Sequence, residues 1–337
     1  MMLLIVLATL VLSFTITSVV QREAIKRNQF DIPNERSSHN QPTPRGAGLA
    51  VVIAFSFSLI VLLIRGNLEQ NTFTAIFLPS SIVATIGYLD DRGKVTAARV
   101  RLLAHIVAGL VAVYMLGGLP PMPVFGETLN LGLLGDLIAV IYLVWLLNLF
   151  NFMDGIDSIT GVETLSSCLI ITILIINKTA SDQWQMPMLL AGAVLGFLFF
   201  NWPPAKIFLG DIGSGYIGFT VGTISLVMAK AEPLFTWAWI ILLGVFIVDA
   251  TVTLIRRLVT KQRVYLAHRS HAYQHLATHS SQHLKVSLGI AAINIFWLAP
   301  IAWLVVDQRI LPIIGVVVAY IPLLVLAIYF KAGKTAS

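Results

Sequence analysis

The chain has one cysteine, Cys168, set inside an apolar run, which excludes an internal disulfide and any multi-cysteine metal site. Charge is also scarce: 11% of the 337 residues are Asp, Glu, Lys or Arg, and 57% are hydrophobic. A soluble domain carries about 25% charged residues, so this composition excludes one. The glycines form no GxxxxGK[ST] loop, and no strand-like run precedes the glycine turn at 210–215, which excludes a P-loop or dinucleotide fold. No internal repeat or low-complexity linker stands out. Acidic residues are outnumbered by basic ones, 16 to 22, for a net charge of +6. In so apolar a chain that excess sets membrane topology and does not indicate a nucleic-acid partner.

What the chain has in quantity is apolar length. Its mean hydropathy is +0.87. Mostly apolar runs long enough to cross a bilayer recur from end to end. Candidate spans are Met2–Val20, Gly46–Ile64, Phe73–Leu89, Leu102–Gly118, Leu134–Leu149, Val162–Ile176, Met188–Phe200, Ile212–Met228, Phe235–Ile255, Val286–Val306 and Ile310–Phe330. The expected fold is therefore all-α: a polytopic integral membrane bundle of about 11 transmembrane helices, in one domain covering residues 1–337. No basic residue precedes the first run, so it reads as a retained span rather than a cleaved signal.

Orientation follows from Lys and Arg. All but four of the 22 lie in the loops after spans 1, 3, 5, 7 and 9 or in the C-terminal tail; Arg65, Lys178, Lys230 and Arg309 are the exceptions. The positive-inside rule puts the richer loops in the cytoplasm.

The polar clusters fall on that same side. SSHNQPTPRGAG holds His39, Thr43 and Arg45, and GYLDDRGK holds Asp90, Asp91 and Lys94. NFMDGID holds Asn151, Asp154 and Asp157; FNWPPAKIFLGDIGSG holds Asn201, Lys206, Phe208 and Asp211; the long basic fifth loop holds His268 and His271. Ionisable groups at the edges of membrane spans are costly and mark sites by default. Asp154 and Asp157, three apart, share one face of a helical turn, where like charges repel unless a cation or donors intervene. A polar loop with an Asp N-cap is the plainer reading of that stretch, but the pattern returns on other loops.

Carboxylates and carboxamides without a cysteine cluster suit a hard cation such as Mg²⁺. Basic residues beside them suit phosphates, the usual layout for phosphoryl transfer. The turn Gly210-Asp211-Ile212-Gly213-Ser214-Gly215 opens a span, where helix-start amides let a phosphate approach. His105 reads as a satisfied interior histidine, and Asp249 has no assigned role. His271, His275, His279 and His283 recur every four residues; the spacing suits zinc, but a polar stripe on an amphipathic cytoplasmic helix is the simpler reading. A transporter or flippase for an anionic lipid-linked sugar is the rival class. Such proteins show repeat symmetry and mid-membrane broken helices, whereas these charges crowd one face.

Together, the DD of GYLDDRGK, NFMDGID, FNWPPAKIFLGDIGSG and HRSH resemble the motifs of the polyprenyl-phosphate N-acetylhexosamine-1-phosphate transferases, over nearly the whole chain through Phe330. PTPRGAG, NFMDGID and HRSH are most similar to the bacterial branch that initiates O-antigen or other surface glycans. The triple-histidine stretch of the cell-wall pentapeptide branch is missing, and Ala47 and Ser158 stand where glycines are expected. The resemblance implies transfer of a (deoxy-)N-acetylhexosamine 1-phosphate from a UDP-sugar to undecaprenyl phosphate in the bacterial inner membrane, releasing UMP. It implies Mg²⁺, with Mn²⁺ as a substitute, and it is compatible with a homodimer.

By the same resemblance, Asp211 would be the Mg²⁺ ligand on the diphosphate, with Asp154 and Asn151 completing the polar shell. Asp90 and Asp91 would engage the lipid phosphate. Asp157 would read uracil, Phe208 would stack on it, and Asn201 would supply a site amide. Lys94 and one of Arg99 or Arg101 would hold phosphates. His268 and His271 would contact the diphosphate or sugar, and Arg45 is a further substrate-binding candidate.

Overall fold

A backbone in hydrocarbon must satisfy its own amides, so long apolar runs become helices. The computed structural model describes residues 1–33, 38–95, 97–179, 181–262, 268–277 and 282–334, and it bears this out. Helices α1 (Met2–Lys26), α2 (Gly48–Ile64), α3 (Gln70–Asp91), α4 (Ala98–Leu116), α5 (Gly132–Met153) and α6 (Ile159–Lys178) are followed by α7 (Gln185–Asn201) and α8 (Asp211–Ala231). Then come α9 (Leu234–Leu242), α10 (Gly244–Val259), the short α11 (Ala272–Leu276), α12 (His283–Ile293), α13 (Ala299–Val306) and α14 (Pro312–Tyr329). Among the described residues, strand is confined to two small antiparallel ribbons, β1 (Phe30–Asp31) with β2 (Thr43–Pro44) and β3 (Met122–Val124) with β4 (Glu127–Leu129).

The expectation of a polytopic helical membrane protein holds. Among the described residues, nine helices are long and apolar enough to cross a membrane, and ten if a bent pair counts as one span. Each of the eleven hydropathy runs has its helical segment, but not every one is a full-length span. Helix α2 has 17 residues. The run expected as one span over Phe235–Ile255 is broken into α9 and α10, which meet at a 66° bend. Gly244 lies at that bend, where a Cβ would stand 3.0 Å from the Tyr320 ring. A π-helical stretch, Asn294–Leu298, separates α12 from α13 just before Pro300, whose missing N–H breaks the regular ladder.

Helix α8 is the axis of the bundle. Its apolar window is wholly buried, packed mainly by α3, α5 and α2. The crossing with α2 is close enough to require glycine on both sides: a Cβ on Gly48 would lie 2.3 Å from the Gly213 Cα. Outside this centre, α1 packs on α7 and α2, α6 on α7, and α12 on α6. The C-terminal ends of α3, α5 and α7 and the N-terminal ends of α2, α6, α8 and α12 therefore meet at one end of the bundle, where the polar motifs lie.

Candidate active site

The site is built on the start of α8. Gly210 precedes it at φ 79°, and a Cβ there would fall 2.7 Å from Asp91 Oδ2, so the position demands glycine twice over. Asp91, the last residue of α3, accepts the Asp211 N–H on Oδ1 at 2.9 Å and the Ile212 N–H on Oδ2 at 3.0 Å. It satisfies two orphan amides and sets a negative charge against the helix dipole. Arg45 closes the arrangement: Nη2 lies 2.9 Å from Asp91 Oδ1 and 2.8 Å from Asp211 Oδ1. Burial opposes the Arg45 charge, but the facing carboxylates of Asp211 and Asp91 outweigh it and hold the guanidinium protonated. The Arg45 loop is pinned by backbone hydrogen bonds to the segment before α8, including Phe208 N–H to Pro44 O at 2.8 Å and Gly48 N–H to Leu209 O at 2.8 Å.

A cavity of about 600 Å³ opens beside this centre, lined by Arg45, Asn151, Asp154, Asp157, Asn201, Phe208 and Asp211 among others. Phe208 forms one wall, in a T-shaped contact with the His39 ring at 4.8 Å between centroids. Asn201 is a strut: Oδ1 accepts the Ser158 N–H at 2.8 Å and Nδ2 donates to Ile207 O at 3.0 Å. Asp157 Oδ2 accepts the Ala205 N–H at 3.0 Å and faces His283 Nδ1 at 3.4 Å. Burial pushes the Asp154 carboxyl up to about 7, with Arg45 among the groups pulling the other way.

A second cavity, about 530 Å³, meets the first at Asn151, Gly155, Asp211 and Gln274. Its polar groups include Asp90, Arg101, His105, Asn148, His268 and His271; Val83, Ile86, Leu102, Leu147 and Phe152 give it apolar walls. Asp90 is ion-paired with Arg101. Asp249 holds the histidine motif. Its oxygens accept the Ala272 and Tyr273 N–H groups at 3.0 Å each, and Oδ1 lies 3.3 Å from His271 Nδ1. Burial pushes the His268 imidazole down to about 4, so that ring is neutral near pH 7.

Most of the residues singled out in the sequence thus gather around two joined cavities. The DD pair divides: Asp90 lines the second cavity, while Asp91 lines neither and is committed to α8 and Arg45. Of the two arginine candidates, Arg101 lines the second cavity, and Arg99 is exposed and lines neither. Lys94 is likewise exposed and lines neither. His105 is not a satisfied interior histidine: it lines the second cavity, and its buried Nδ1 has no partner among the described residues. The histidines at 271–283 are not one helical stripe. His271 caps α11, His283 opens α12, and His279 lies outside the described residues. Gln274 and His283 are site residues that sequence reasoning missed; the four-residue histidine spacing was visible, but it suggested a surface stripe.

The donor set suits Mg²⁺ by its chemistry, all carboxylate and amide oxygens at the junction of the cavities. No group of three or more His, Cys, Asp or Glu among the described residues forms a preformed metal cage. Mg²⁺ is commonly held by one or two carboxylates plus substrate phosphates, which this arrangement permits. The Arg45 guanidinium bridging Asp91 and Asp211 marks where positive charge is favoured.

Comparison with known proteins agrees with this geometry. The model of glycosyl transferase family 4 matches residues 73–229, from α3 through most of α8. A probable undecaprenyl-phosphate N-acetylglucosaminyl 1-phosphate transferase of Bacillus subtilis is 31% identical over 274 residues, covering 80% of this chain and 75% of that protein. A phospho-N-acetylmuramoyl-pentapeptide-transferase of Streptococcus uberis is 28% identical, covering 59% and 63%. A decaprenyl-phosphate N-acetylglucosaminephosphotransferase of Mycolicibacterium smegmatis is 29% identical, covering 66% and 59%. With its motifs arrayed around the start of α8 and a relative matched over three quarters of its length, the chain belongs to glycosyl transferase family 4.

Proposed function

We propose that this protein transfers a (deoxy-)N-acetylhexosamine 1-phosphate from a UDP-sugar to undecaprenyl phosphate, releasing UMP, to initiate lipopolysaccharide O-antigen or a related surface glycan. The observation that carries this reading is the pair of joined cavities. One sets carboxylates and amides beside the Phe208 ring, the other combines charged and polar groups with apolar side chains, and they share Asn151 and Asp211. That shape suits a nucleotide sugar on one side and a lipid phosphate on the other. The motifs shared with the surface-glycan branch support the final step of the assignment, and the relatives' names support the polyprenyl acceptor.

In this mechanism an oxygen of the lipid phosphate attacks the phosphorus that carries the sugar. The bond from that phosphorus to the bridging oxygen of UMP breaks, and UMP leaves with the electron pair. A phosphate monoester has a second pKa of about 6, so near neutral pH the acceptor is largely a dianion and needs no general base. Asp211, with Asp154, would hold Mg²⁺, which when bound offsets the diphosphate charge. Asn151 and Arg45 hold the donor from the first cavity; Arg101 and Asp90 position the acceptor from the second. Phe208 stacks on the base, and Asp157 reads it. His268 and His271 contact the diphosphate or sugar. The site faces the cytoplasm of the bacterial inner membrane.

Purified protein incubated with undecaprenyl phosphate and a panel of UDP-sugars should release UMP with one or a few of them. Lack of UMP release with every UDP-N-acetylhexosamine, together with movement of a lipid-linked sugar across vesicles, would favour a transporter. Stoichiometric UMP release without lipid, with a phospho-sugar trapped on Asp90 or Asp91, would defeat direct attack. A thiol introduced at Asn67 or Asn177 should be labelled from outside the cell and one at Arg92 should not; labelling of Arg92 would invert the orientation. Arg263, another natural probe of that face, lies outside the described residues.

A further inference from the structure

The second cavity contains a group that the mechanism above does not use. His105 lies in α4, a helix long and apolar enough to cross a membrane. It is 9% exposed, and its side chain makes no hydrogen bond among the described residues, with Nδ1 buried there without a partner. A core histidine kept for structure is held by hydrogen bonds; an unsatisfied one costs about 1–3 kcal/mol, and an apolar side chain of similar size would remove that cost. Ionisable side chains inside spans face the bundle interior or a cavity and mark function by default. This ring lines the second cavity.

Its position says what it would meet. His105 is four residues beyond Arg101, so the two share a face of α4, with His105 about 6 Å further along the helix. Arg101 is already paired with Asp90. The same cavity is lined by Asn148 and the apolar Val83, Leu102 and Leu147. A ligand reaching His105 must therefore carry a polar group on an apolar stem. A neutral imidazole offers one donor and one acceptor, while a phosphate dianion offers acceptors only. The matching interaction is a ring N–H donated to a phosphate oxygen, strengthened by the charge of the acceptor.

We propose that His105 is a recognition residue for the phosphate head of the polyprenyl acceptor, holding it one helical turn below the Asp90–Arg101 pair while the isoprenoid lies along the apolar wall. This rests on the acceptor assigned under the proposed function. It extends that reading to a residue outside the family motifs named above, and it accounts for a polar side chain that packing alone does not.

The test is steady-state kinetics on the full-length protein in detergent, varying undecaprenyl phosphate at saturating UDP-sugar and then the reverse. His105→Leu should raise KM for the lipid by about tenfold or more, the size of a lost hydrogen bond to a charged group. It should leave KM for the UDP-sugar unchanged and the melting temperature equal or higher. His105→Gln, which keeps an amide donor, should recover most of the loss; a purely structural role would not produce that split or that rescue. An unchanged lipid KM in His105→Leu, or an equal rise for both substrates, overturns the proposal. Should His105→Leu fail to fold, His105→Phe serves as the apolar variant. If the wild type releases no UMP at all, the proposed function fails separately. Thermal shifts with geranylgeranyl phosphate against geranylgeraniol then decide: a phosphate-specific shift lost in His105→Leu supports the assignment, and its persistence overturns it.

Discussion

Asp91 caps the helix that Asp211 begins. Its two oxygens accept the N–H groups of Asp211 and Ile212 at 2.9 and 3.0 Å, while Arg45 bridges the two carboxylates. Neighbouring aspartates in one motif therefore have different tasks. Asp91→Ala should lower stability by about 0.5–2 kcal/mol, the usual cost of a lost N-cap, and lower turnover because α8 positions Asp211. Asp90→Asn should leave the melting temperature nearly unchanged and raise KM for the lipid phosphate. Thermal melts and kinetics on the two variants check this, and equal destabilisation would refute the division.

Asp211 is the carboxylate common to both cavities. Asp211→Asn should lower kcat by about 10²–10³ with little change in donor binding, as for a group that stabilises charge developing in the transition state. Activity should vanish with a chelator and return with Mg²⁺ or Mn²⁺. Full turnover in excess chelator would remove the metal from the mechanism.

Phe208 lines the first cavity and makes a T-shaped contact with the His39 ring. Loss of base stacking in Phe208→Ala should weaken nucleotide-sugar binding by about 1–3 kcal/mol. The effect should appear in KM for the UDP-sugar and not for the lipid. Unchanged donor KM would exclude stacking.

Asp154 carries a pH signature. Burial raises its carboxyl from 3.8 to about 7, so between those values the folded protein keeps a proton that the unfolded chain has released. Its contribution to stability therefore falls as pH rises from about 4 to 7. Asp154→Asn should flatten that slope and melt higher than wild type at pH 8, while losing turnover. A wild-type melting profile that rises through this window and is unchanged in the variant would contradict the assignment.

Ser158 stands at φ 63°, in the left-handed region, with its buried hydroxyl unpartnered among the described residues. That conformation costs a non-glycine residue about 1–2 kcal/mol. Ser158→Gly should therefore stabilise the protein, by about 1 kcal/mol, without loss of activity. Ala47, the other departure from glycine, has φ −62° and carries no such strain. Denaturation in detergent decides between relief and indifference.

The clustering of the polar motifs at one end of a helical bundle was legible in the sequence, because it depends on local properties. Apolar runs fix where helices form, and alternation of spans sends every second loop to the same side. Asp211, Asn151, Asp154 and Phe208 could be chosen because they sit in motifs at helix ends, where polar groups in so apolar a chain need a reason.

The sequence alone determined the class of fold, the end of the bundle that holds the site, and most of the side chains there. Only tertiary structure decided which side chain faces what. Adjacent residues on a helix point about 100° apart, so the DD pair was bound to divide, but the packing of α3 on α8 chose Asp90 for the cavity and Asp91 for the cap. The same holds for Asp249 and His271, 22 residues apart in sequence and paired through the fold, and for His283, brought beside Asp157 from 126 residues away. The 66° bend between α9 and α10 was also invisible, since hydropathy runs straight through it. Hydropathy reads how apolar a segment is; the direction of a side chain depends on the neighbour against which its helix packs.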